Sequence, residues 1–267
     1  MIEVSDLSFD LSQTYTYTLS IRHLSGGFCF AVFNNEKKLL HFLSTEGKPD
    51  GFDLLKHRFA TVHLLDESSR YTLVPRPAFR EDLKGMYWNV NFKDVADTET
   101  LMHDSVRLTD VVNLYAAENE GRNNVESLFS QAQNIKLIHR QSVQMTIAVM
   151  RNKQANCKQL FIQLLEEKFD VLLMDKGGVI LANTYPCRTQ DEFLYHVLNI
   201  FNQVKLDPYA TFVLVAGSDG REVELLSQYV ENVSHDSFLM RPLSDVFAES
   251  KIPQSAHILL NLPFAVN

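Results

Sequence analysis

The chain has 267 residues, of which 45% are hydrophobic and 22% are charged, with only 10 Gly and 8 Pro. This composition is that of an ordinary globular protein without low-complexity tracts, and the length suits two domains of about 130 residues better than one core. The formal net charge of −8, with basic residues scattered along the chain, disfavours nucleic acid as a ligand, because phosphate backbones are bound by clustered Lys and Arg.

Nothing in the sequence indicates secretion or a membrane. Residues 1–6 lack the basic and apolar regions of a secretory signal, and the longest apolar stretch, residues 256–266, is too short to span a bilayer. None of the three cysteines lies in a CxxC spacing, which fits a reducing compartment and argues against disulfides and zinc sites. We therefore expect a cytoplasmic protein without membrane insertion. The cysteines are Cys29, Cys157 and Cys187.

The first half of the chain begins with a predicted three-stranded meander. Residues 14–21 alternate between apolar and hydroxyl side chains, as a half-buried strand does. A turn at Gly26 and Gly27 leads to a second strand at 28–33, and a polar turn leads to a third at 39–43.

The segment after this meander has a less regular pattern. Apolar runs at 62–65 and 71–74 predict an extra hairpin, and residues 75–88 a loop or short helix. The remaining elements predicted in this half are helices at 51–59, 123–132 and 142–150 and strands at 111–116 and 135–138.

The second half repeats the plan of the first. Runs at 160–165, 169–174 and 179–182 predict another meander, and shifting the chain so that Leu19 falls on Leu160 also places Phe28 on Phe169 without a gap. The further predicted elements are a helix from Asp191, a strand at 211–215, a helix at 222–230, a strand at 238–240 and a final segment at 243–247. The pattern indicates an internal duplication.

The predicted fold is therefore α/β, with two similar βββαβαβ lobes in which an antiparallel meander is joined to right-handed crossovers. We place the first lobe at residues 1–153, with a hairpin and loop insertion around 60–100. The second lobe is placed at residues 154–267.

A tandem βββαβαβ unit resembles the actin-like ATPase superfamily, which has a ribonuclease H-like fold. Over nearly its full length the chain is similar to an uncharacterised bacterial family of unknown function with that fold, and to pilus and type II secretion platform proteins. The resemblance implies a nucleotide site at the first turn of each meander. There an Asp at the strand end holds Mg²⁺ through water, and glycines let backbone N–H groups face the phosphates.

The residues at these positions depart from the superfamily pattern. Arg22 stands where the first lobe would have its Asp, and Leu24 replaces the motif glycine. The second lobe has Gln163 and Leu165 there, followed by residues 166–168, whose two glutamates would repel phosphates at a cost of about 1–4 kcal/mol. We expect the phosphate site to be lost in both lobes.

Two fragments leave a ligand site open. Gly26 and Gly27 with Arg22 as a counter-charge could cradle an anion, although a Gly-Gly pair at a hairpin is more often turn geometry. The segment Ala216, Gly217 and Ser218 is similar to the adenosine loop of the superfamily, and its alternative is a strand-to-helix turn with Ser218 or Asp219 as the N-cap.

Other motifs carry little signal. The chain has no GxSxG, GxxxxGK[ST] or GxGxxG motif and no histidine pair with metal-ligand spacing, so no catalytic residue and no metal site is expected. His23 and His139 flank strand ends and could reach a cleft, but surface or capping roles are favoured. Asp170, Asp175 and Asp191 are interpreted as turn and cap residues.

Three functions compete on this basis. The favoured one is a non-catalytic interaction module or scaffold, without a cofactor, that binds a protein partner or a second copy of itself. The alternative is an ATPase, kinase or ATP-binding protein of the superfamily that uses ATP with magnesium through displaced ligands. The third is a binder of another small anion at Arg22 and the glycine pair.

The first-lobe insertion is the predicted interaction surface. It combines aromatic residues and Met with basic neighbours, a mixture enriched at interface hot spots. The alternative is that these aromatic side chains pack the insertion onto its own lobe. The residues are Phe79, Met86, Tyr87 and Trp88, among Arg76, Arg80 and Lys84.

Overall fold

The computed structural model describes residues 1–24, 26–47, 53–120, 122–123, 134–153, 155, 157–250 and 252–266. It divides into two compact units, one made of residues 1–143 together with 239–267 and the other of residues 144–238. No helix in these described ranges is long and apolar enough to cross a membrane.

The first unit is built on a six-stranded sheet with the order β1-β4-β3-β2-β5-β9. Its centre is the antiparallel meander β2-β3-β4, and β5 and β9 add to β2 as parallel strands. The strands are β1 (Ile2–Ser5), β2 (Thr18–Leu24), β3 (Gly27–Phe33), β4 (Leu39–Glu46), β5 (Thr61–Asp66) and β9 (Ile135–His139).

The core of this unit follows from the apolar runs of these strands. Every residue of β3 is buried, as expected for a central strand covered on both faces. One face of the sheet forms a continuous cluster of buried side chains, which includes Leu19, Ile21, Phe30, Val32, Val62 and Leu64.

A second, three-stranded antiparallel sheet with the order β6-β8-β7 forms the insertion of the first unit. The predicted hairpin of 62–65 with 71–74 is wrong, because residues 61–66 pair in parallel with β2 and residues 71–75 pair with 111–115. Both apolar runs suit a buried strand, so pattern alone did not separate them. The elements are β6 (Tyr71–Pro75), α1 (Lys84–Asn91), β7 (Glu99–Ser105) and β8 (Val111–Glu118).

The second unit has a five-stranded sheet with the order β12-β11-β10-β13-β14. This order matches β4-β3-β2-β5-β9 strand for strand, which confirms two similar α/β lobes, while their origin by duplication stays a prediction. Helix α2 (Arg140–Asn152) begins in the first unit and ends in the second. The other elements of the second unit are β10 (Gln159–Leu164), β11 (Lys168–Asp175), β12 (Gly178–Pro186), α3 (Gln190–Val204), β13 (Phe212–Ala216), α4 (Arg221–Leu226) and β14 (Asn232–His235).

Helix α3 illustrates how the sequence forms these elements. Thr189 caps its first turn by accepting a hydrogen bond from the Glu192 N–H at 3.2 Å. The side chains at helical spacing, including Phe193 and Val197, are fully buried in the core of the second unit. The helix ends at Lys205, which has a left-handed backbone with φ of 53°.

The last part of the chain returns to the first unit. Helices α5 (Asp245–Glu249) and α6 (His257–Ala265) belong there, and α6 packs against β2, β3 and β5. The sequence places residues 239–267 in the second lobe, whereas the structure groups them with the first unit. The lobe boundary at residue 153 stays a prediction. The expected strand at 238–240 is wrong, because the edge strand is Asn232–His235 and Phe238 has a φ of 54°.

Two other expected helices concern residues only partly covered by the structure. Most of the helix expected at 123–132, and the beginning of the one at 51–59, lie outside the described residues. The described part of the latter contains a 3-10 turn, Asp53–Lys56.

Candidate functional site

The carboxyl ends of three parallel strands meet at one edge of the first sheet, the position where open α/β sheets bind ligands. Strand β2 ends here with Arg22 and His23, and β5 ends with Asp66. Strand β9 ends at His139, in register with Asp66. Glu67 follows Asp66 directly.

Arg22 lies at this edge but is engaged by its own unit. Its side chain is 8% exposed, and one terminal nitrogen lies 2.8 Å from the Glu67 carboxylate. The other terminal nitrogen donates to the backbone carbonyl of Ser255. The Arg22 side chain therefore links strand β2 to the end of β5 and to the C-terminal segment.

The glycine pair that follows β2 is part of a tight hairpin. A Cβ on Gly27 would lie 1.9 Å from the Thr45 carbonyl oxygen, so the neighbouring strand requires glycine at this position. A Cβ on Gly26 would meet nothing within 4 Å, and the Gly26 carbonyl accepts a hydrogen bond from Gly47 N–H at 2.6 Å. Close strand packing accounts for Gly27.

His139 organises a buried polar cluster behind this edge. Its Nδ1 accepts from the Gln141 N–H at 3.2 Å and lies 2.9 Å from Asn113 Nδ2. Because Nδ1 accepts, Nε2 carries the proton and donates to the Ser68 carbonyl at 2.9 Å. The ring is fully buried, so a surface role for His139 is wrong, whereas the expected capping role agrees with the hydrogen bond from Gln141, which lies in the first turn of α2. The ring also lies at the strand-end site, as the alternative stated.

Two carboxyl groups lie beside His139, one at its backbone N–H and one at its ring. Asp104 accepts from the His139 N–H at 2.8 Å and from the Tyr115 hydroxyl at 3.3 Å. Asp66 Oδ1 lies 3.9 Å from His139 Nε2 and accepts from the Ser68 N–H at 3.0 Å. Side chains more than 30 residues apart in the chain thus form one cluster.

Burial makes both carboxyl groups harder to ionise. It raises the pKa of Asp104 to about 6, with a smaller contribution from the charge of Asp66. It also raises the pKa of Asp66 to about 6, with added repulsion from Glu118 and Glu67. Burial and the same two aspartates hold the pKa of Tyr115 well above its ordinary value.

A cavity of about 190 Å³ opens beside this cluster. Its titratable lining is mostly acidic: Asp66, Glu67 and Glu118 stand against His23 and Arg122. Such a lining can take up protons near pH 6 or attract a cation, and it repels phosphate. Among the described residues, no group of three or more His, Cys, Asp or Glu side chains is arranged to hold a metal ion.

The second unit places Gly217 and Ser218 directly after strand β13. Gly217 has a φ of 80°, and a Cβ there would lie 2.6 Å from the Leu164 carbonyl oxygen. The Ser218 hydroxyl donates to Glu222 at 2.6 Å and accepts from the Gly220 N–H at 2.9 Å. Ala216 ends the strand in register with Gln163. These contacts describe a strand-to-helix turn closed by its own side chains.

Asp170 is not a turn residue. It lies within strand β11, is 1% exposed, and accepts hydrogen bonds from Thr184 at 2.7 Å and Gln144 at 3.2 Å. Asp175 ends the same strand at a turn, as expected from the sequence. Asp191 is not the cap of α3, because Thr189 has that role and Asp191 lies within the first helical turn.

The insertion separates its aromatic residues into core and surface. Trp88 is 1% exposed and forms the core of this small sheet with Leu114 and Ala116. Met86 is 66% exposed, while Phe79 and Tyr87 are half-buried, with ring centroids 5.8 Å apart. The structure therefore removes Trp88 from the expected surface, and an interaction role for the other three stays a prediction.

Sequence analysis missed Asp66, Asp104 and Asn113. Asp66 directly follows an apolar run, which is a usable signal, but the sequence pattern predicts a hairpin turn there. Asp104 and Asn113 lie on strands of the insertion, and nothing in their local sequence indicates that they face His139.

Comparisons with known proteins agree with the fold. No curated protein matches the chain. A crystal structure of a Bacteroides thetaiotaomicron protein with an actin-like ATPase fold and unknown function is 18% identical, covers 91% of this chain and 97% of its own, and has a TM-score of 0.74. The PilM-PilN type IV pilus biogenesis complex contains a chain that is 12% identical, with coverages of 92% and 97% and a TM-score of 0.66.

The fold is therefore that of the actin-like ATPases, as the resemblance implied. A family model described as protein of unknown function (DUF3822) matches residues 6–233, which is most of the chain. The chain belongs to this family.

Proposed function

We propose that the protein is a non-catalytic interaction module of the cytoplasm, which uses the actin-like ATPase fold without a working nucleotide site. The proposal rests on the charged residues at the carboxyl ends of the parallel strands in the first unit. A basic residue tied to Glu67 stands at the end of β2, and carboxylates line the adjoining cavity.

The electrostatics of this edge support the loss of nucleotide binding. A triphosphate brings several negative charges, and two unit charges of like sign repel by about 1 kcal/mol or more at contact even in water. Arg22 offers little compensation, because both of its terminal nitrogens have partners within the unit. Asp66 and Glu118 would face the phosphates from the cavity wall.

The second unit supports the same proposal through its backbone. Strand β10 carries Gln163, an amide that cannot replace the charge of a carboxylate toward Mg²⁺. Its Nε2 donates to the Leu164 carbonyl at 3.2 Å, and the carbonyl also lies against Gly217. The turn after β10 contributes Glu166 and Glu167, which add negative charge.

The alternative is an ATP-binding protein with displaced magnesium ligands, and calorimetry with MgATP separates the two. We expect no binding tighter than millimolar. The same titration is carried out on a double variant, Asp66→Asn with Glu118→Gln, which removes two negative charges from the cavity. Micromolar affinity of the natural protein, or turnover above background, would replace the proposal by the alternative.

A partner surface is suggested by helix α1 in the insertion. Met86 and Val90 are one helical turn apart and are 66% and 79% exposed. The hydroxyl of Tyr87 donates to the Ala78 carbonyl at 2.6 Å and orders the neighbouring segment. An ordered apolar face of this kind suits an apolar segment of a partner.

The solved relative suggests what kind of partner to look for. PilM is found in a complex with PilN, so a chain of this fold can serve as a protein-binding unit. We propose the same role for the α1 surface defined by Phe79, Met86, Tyr87 and Val90, with a protein as the partner.

The test uses a double variant that combines Met86→Glu and Val90→Glu. The control is Ile180→Glu, at an exposed apolar position in the second unit. Cross-linking in the native host and light scattering of the pure protein measure partner capture and self-association. We expect the double variant to lose the association and Ile180→Glu to keep it, with unchanged melting temperatures. Equal capture by both variants would reject the α1 surface.

A further inference from the structure

A second cavity of the first unit, of about 290 Å³, lies between the turn that joins β3 to β4 and the C-terminal segment. Its floor is apolar, with Phe33, Phe247 and Leu260 among the lining residues, and its rim carries Lys37 and Arg241. This volume is close to the lower end of the range for small-molecule sites.

Three cationic side chains contact Phe264, and two of them, Lys37 and Arg241, line the cavity. Lys37 Nζ lies 5.5 Å and the Arg241 guanidinium 5.4 Å from the centre of the Phe264 ring. Arg107 donates to the Phe264 carbonyl at 3.1 Å. The three charges are close enough that Arg107 and Arg241 help to lower the pKa of Lys37, after the larger effect of burial.

None of these three cations has an ion-pair partner within the described part of the chain. The neighbouring Lys38 differs, because it pairs with Asp6 at 2.9 Å. In a chain with a net charge of −8, two such cations lining one cavity, Lys37 and Arg241, indicate a site for negative charge.

The cations are held in place by backbone contacts. Lys37 has a left-handed backbone with φ of 61°, an unusual conformation for lysine, inside a turn that the Asn34 side chain closes through hydrogen bonds from Glu36 and Lys38 N–H groups. Arg241 donates to the Glu36 carbonyl at 2.8 Å. The rim is therefore ordered before any ligand arrives.

The helix that carries Phe264 offers a partial alternative explanation. Cations near the C-terminal end of a helix are favoured by its dipole, and this accounts for Arg107, which contacts a carbonyl of the last turn. Lys37 and Arg241 face the aromatic ring instead, and both line the cavity.

We propose that this cavity binds a small amphipathic carboxylate, with the anionic head between Lys37 and Arg241 and the apolar tail on Phe33, Phe247 and Leu260. The cations select a negative head, and the floor excludes ions that lack an apolar part. The site is independent of the α1 surface, so either can fail without the other.

The proposal is tested by calorimetry with octanoate, with octyltrimethylammonium as the cationic counterpart and inorganic phosphate as a head without a tail. The test variant combines Lys37→Asn, which tolerates the left-handed backbone, with Arg241→Met. Arg188→Met combined with Lys205→Asn, in the second unit, matches its change in net charge, and Lys205 also has a positive φ.

We expect octanoate to bind the natural protein and the control alike, and at least about tenfold more weakly to the Lys37 and Arg241 variant at an unchanged melting temperature. Octyltrimethylammonium and phosphate should not bind. Absence of octanoate binding, equal affinity for both variants, or phosphate binding as tight as octanoate would each overturn the proposal.

Discussion

Asp66 and Asp104 are carboxyl groups that cost more to ionise in the folded chain than in water. Both have a pKa of about 6 against an ordinary value of 3.8, and burial is the main cause. The Asp66 side chain is 10% exposed and accepts a backbone hydrogen bond from Ser68. When ionised at neutral pH, both carboxyl groups therefore oppose folding.

This cost gives a pH prediction for Asp66→Asn. Between about pH 4 and pH 6 the folded protein binds a proton at Asp66 that the unfolded chain releases, so the contribution of Asp66 to stability falls as pH rises. The Asn side chain keeps the shape and cannot ionise. We expect the free energy of unfolding of the variant, minus that of the natural protein, to grow by up to about 3 kcal/mol from pH 4 to pH 7.

Urea unfolding at several pH values measures this difference. Asp104 stays in both proteins, so its own titration largely cancels. Ser69→Ala, at an exposed neighbouring position, serves as a control and should leave the difference flat. A flat difference for Asp66→Asn as well would contradict the raised pKa.

Trp88 gives a second prediction at the same scale. Its ring stacks on Phe92 with centroids 4.3 Å apart, lies under the Arg70 guanidinium and is 1% exposed. Trp88→Ala should lower the free energy of unfolding by about 3–5 kcal/mol, because it leaves a cavity in the insertion core. Met86→Ala, on the exposed face of the same helix, should change it by less than about 0.5 kcal/mol. Equal small effects in denaturant titrations would place Trp88 outside the core.

At the scale of elements, the hairpin between β2 and β3 distinguishes packing from ligand binding at the glycine pair. Gly27→Ala would bring a Cβ within 1.9 Å of the Thr45 carbonyl oxygen, so strand β4 must shift. Gly26→Ala meets open space.

We expect Gly27→Ala to destabilise the protein by about 1–3 kcal/mol or more and Gly26→Ala to be nearly neutral. Thermal unfolding monitored by circular dichroism measures both. A neutral Gly27→Ala would mean that the two strands do not approach as closely as described, and would return the glycine pair to consideration as an anion cradle.

The local sequence pattern was sufficient to predict the two meanders. The meanders 18–46 and 159–186 follow from alternating or continuous apolar runs separated by turn residues, and both were predicted. The local pattern did not show whether residues 62–65 or residues 111–116 form the strand that pairs in parallel with β2, because each run is apolar and buried. Only pairing with β2 decides it, and pairing is a contact between distant residues.

For the whole molecule, the placement of the C-terminal segment is the main departure from a simple tandem of lobes. Helix α6 is buried along most of its length against β2, β3 and β5 of the first unit. Arg22 and Arg107 also contact this segment, through the carbonyls of Ser255 and Phe264.

This arrangement predicts the result of removing residues 239–267. Hydrogen exchange in the shortened chain should lose protection in strands β2, β3 and β5, whose face α6 covers, and keep it in β10, β11 and β13. A chain shortened only by residues 265–267 controls for the loss of terminal residues. Loss of protection confined to the second sheet would instead assign the segment to the second lobe.

The sequence by itself determined the class of fold, because strand and helix periodicity are local properties of the chain and the two meanders repeat them. It also identified the departure of Arg22 and Gln163 from the superfamily pattern. Tertiary structure alone decided that Trp88 is core, that residues 239–267 join the first unit, and that Asp66, Asp104 and His139 meet. The reason is that burial and contact depend on residues far apart in the chain, and apolar pattern specifies that a segment is buried without specifying against what.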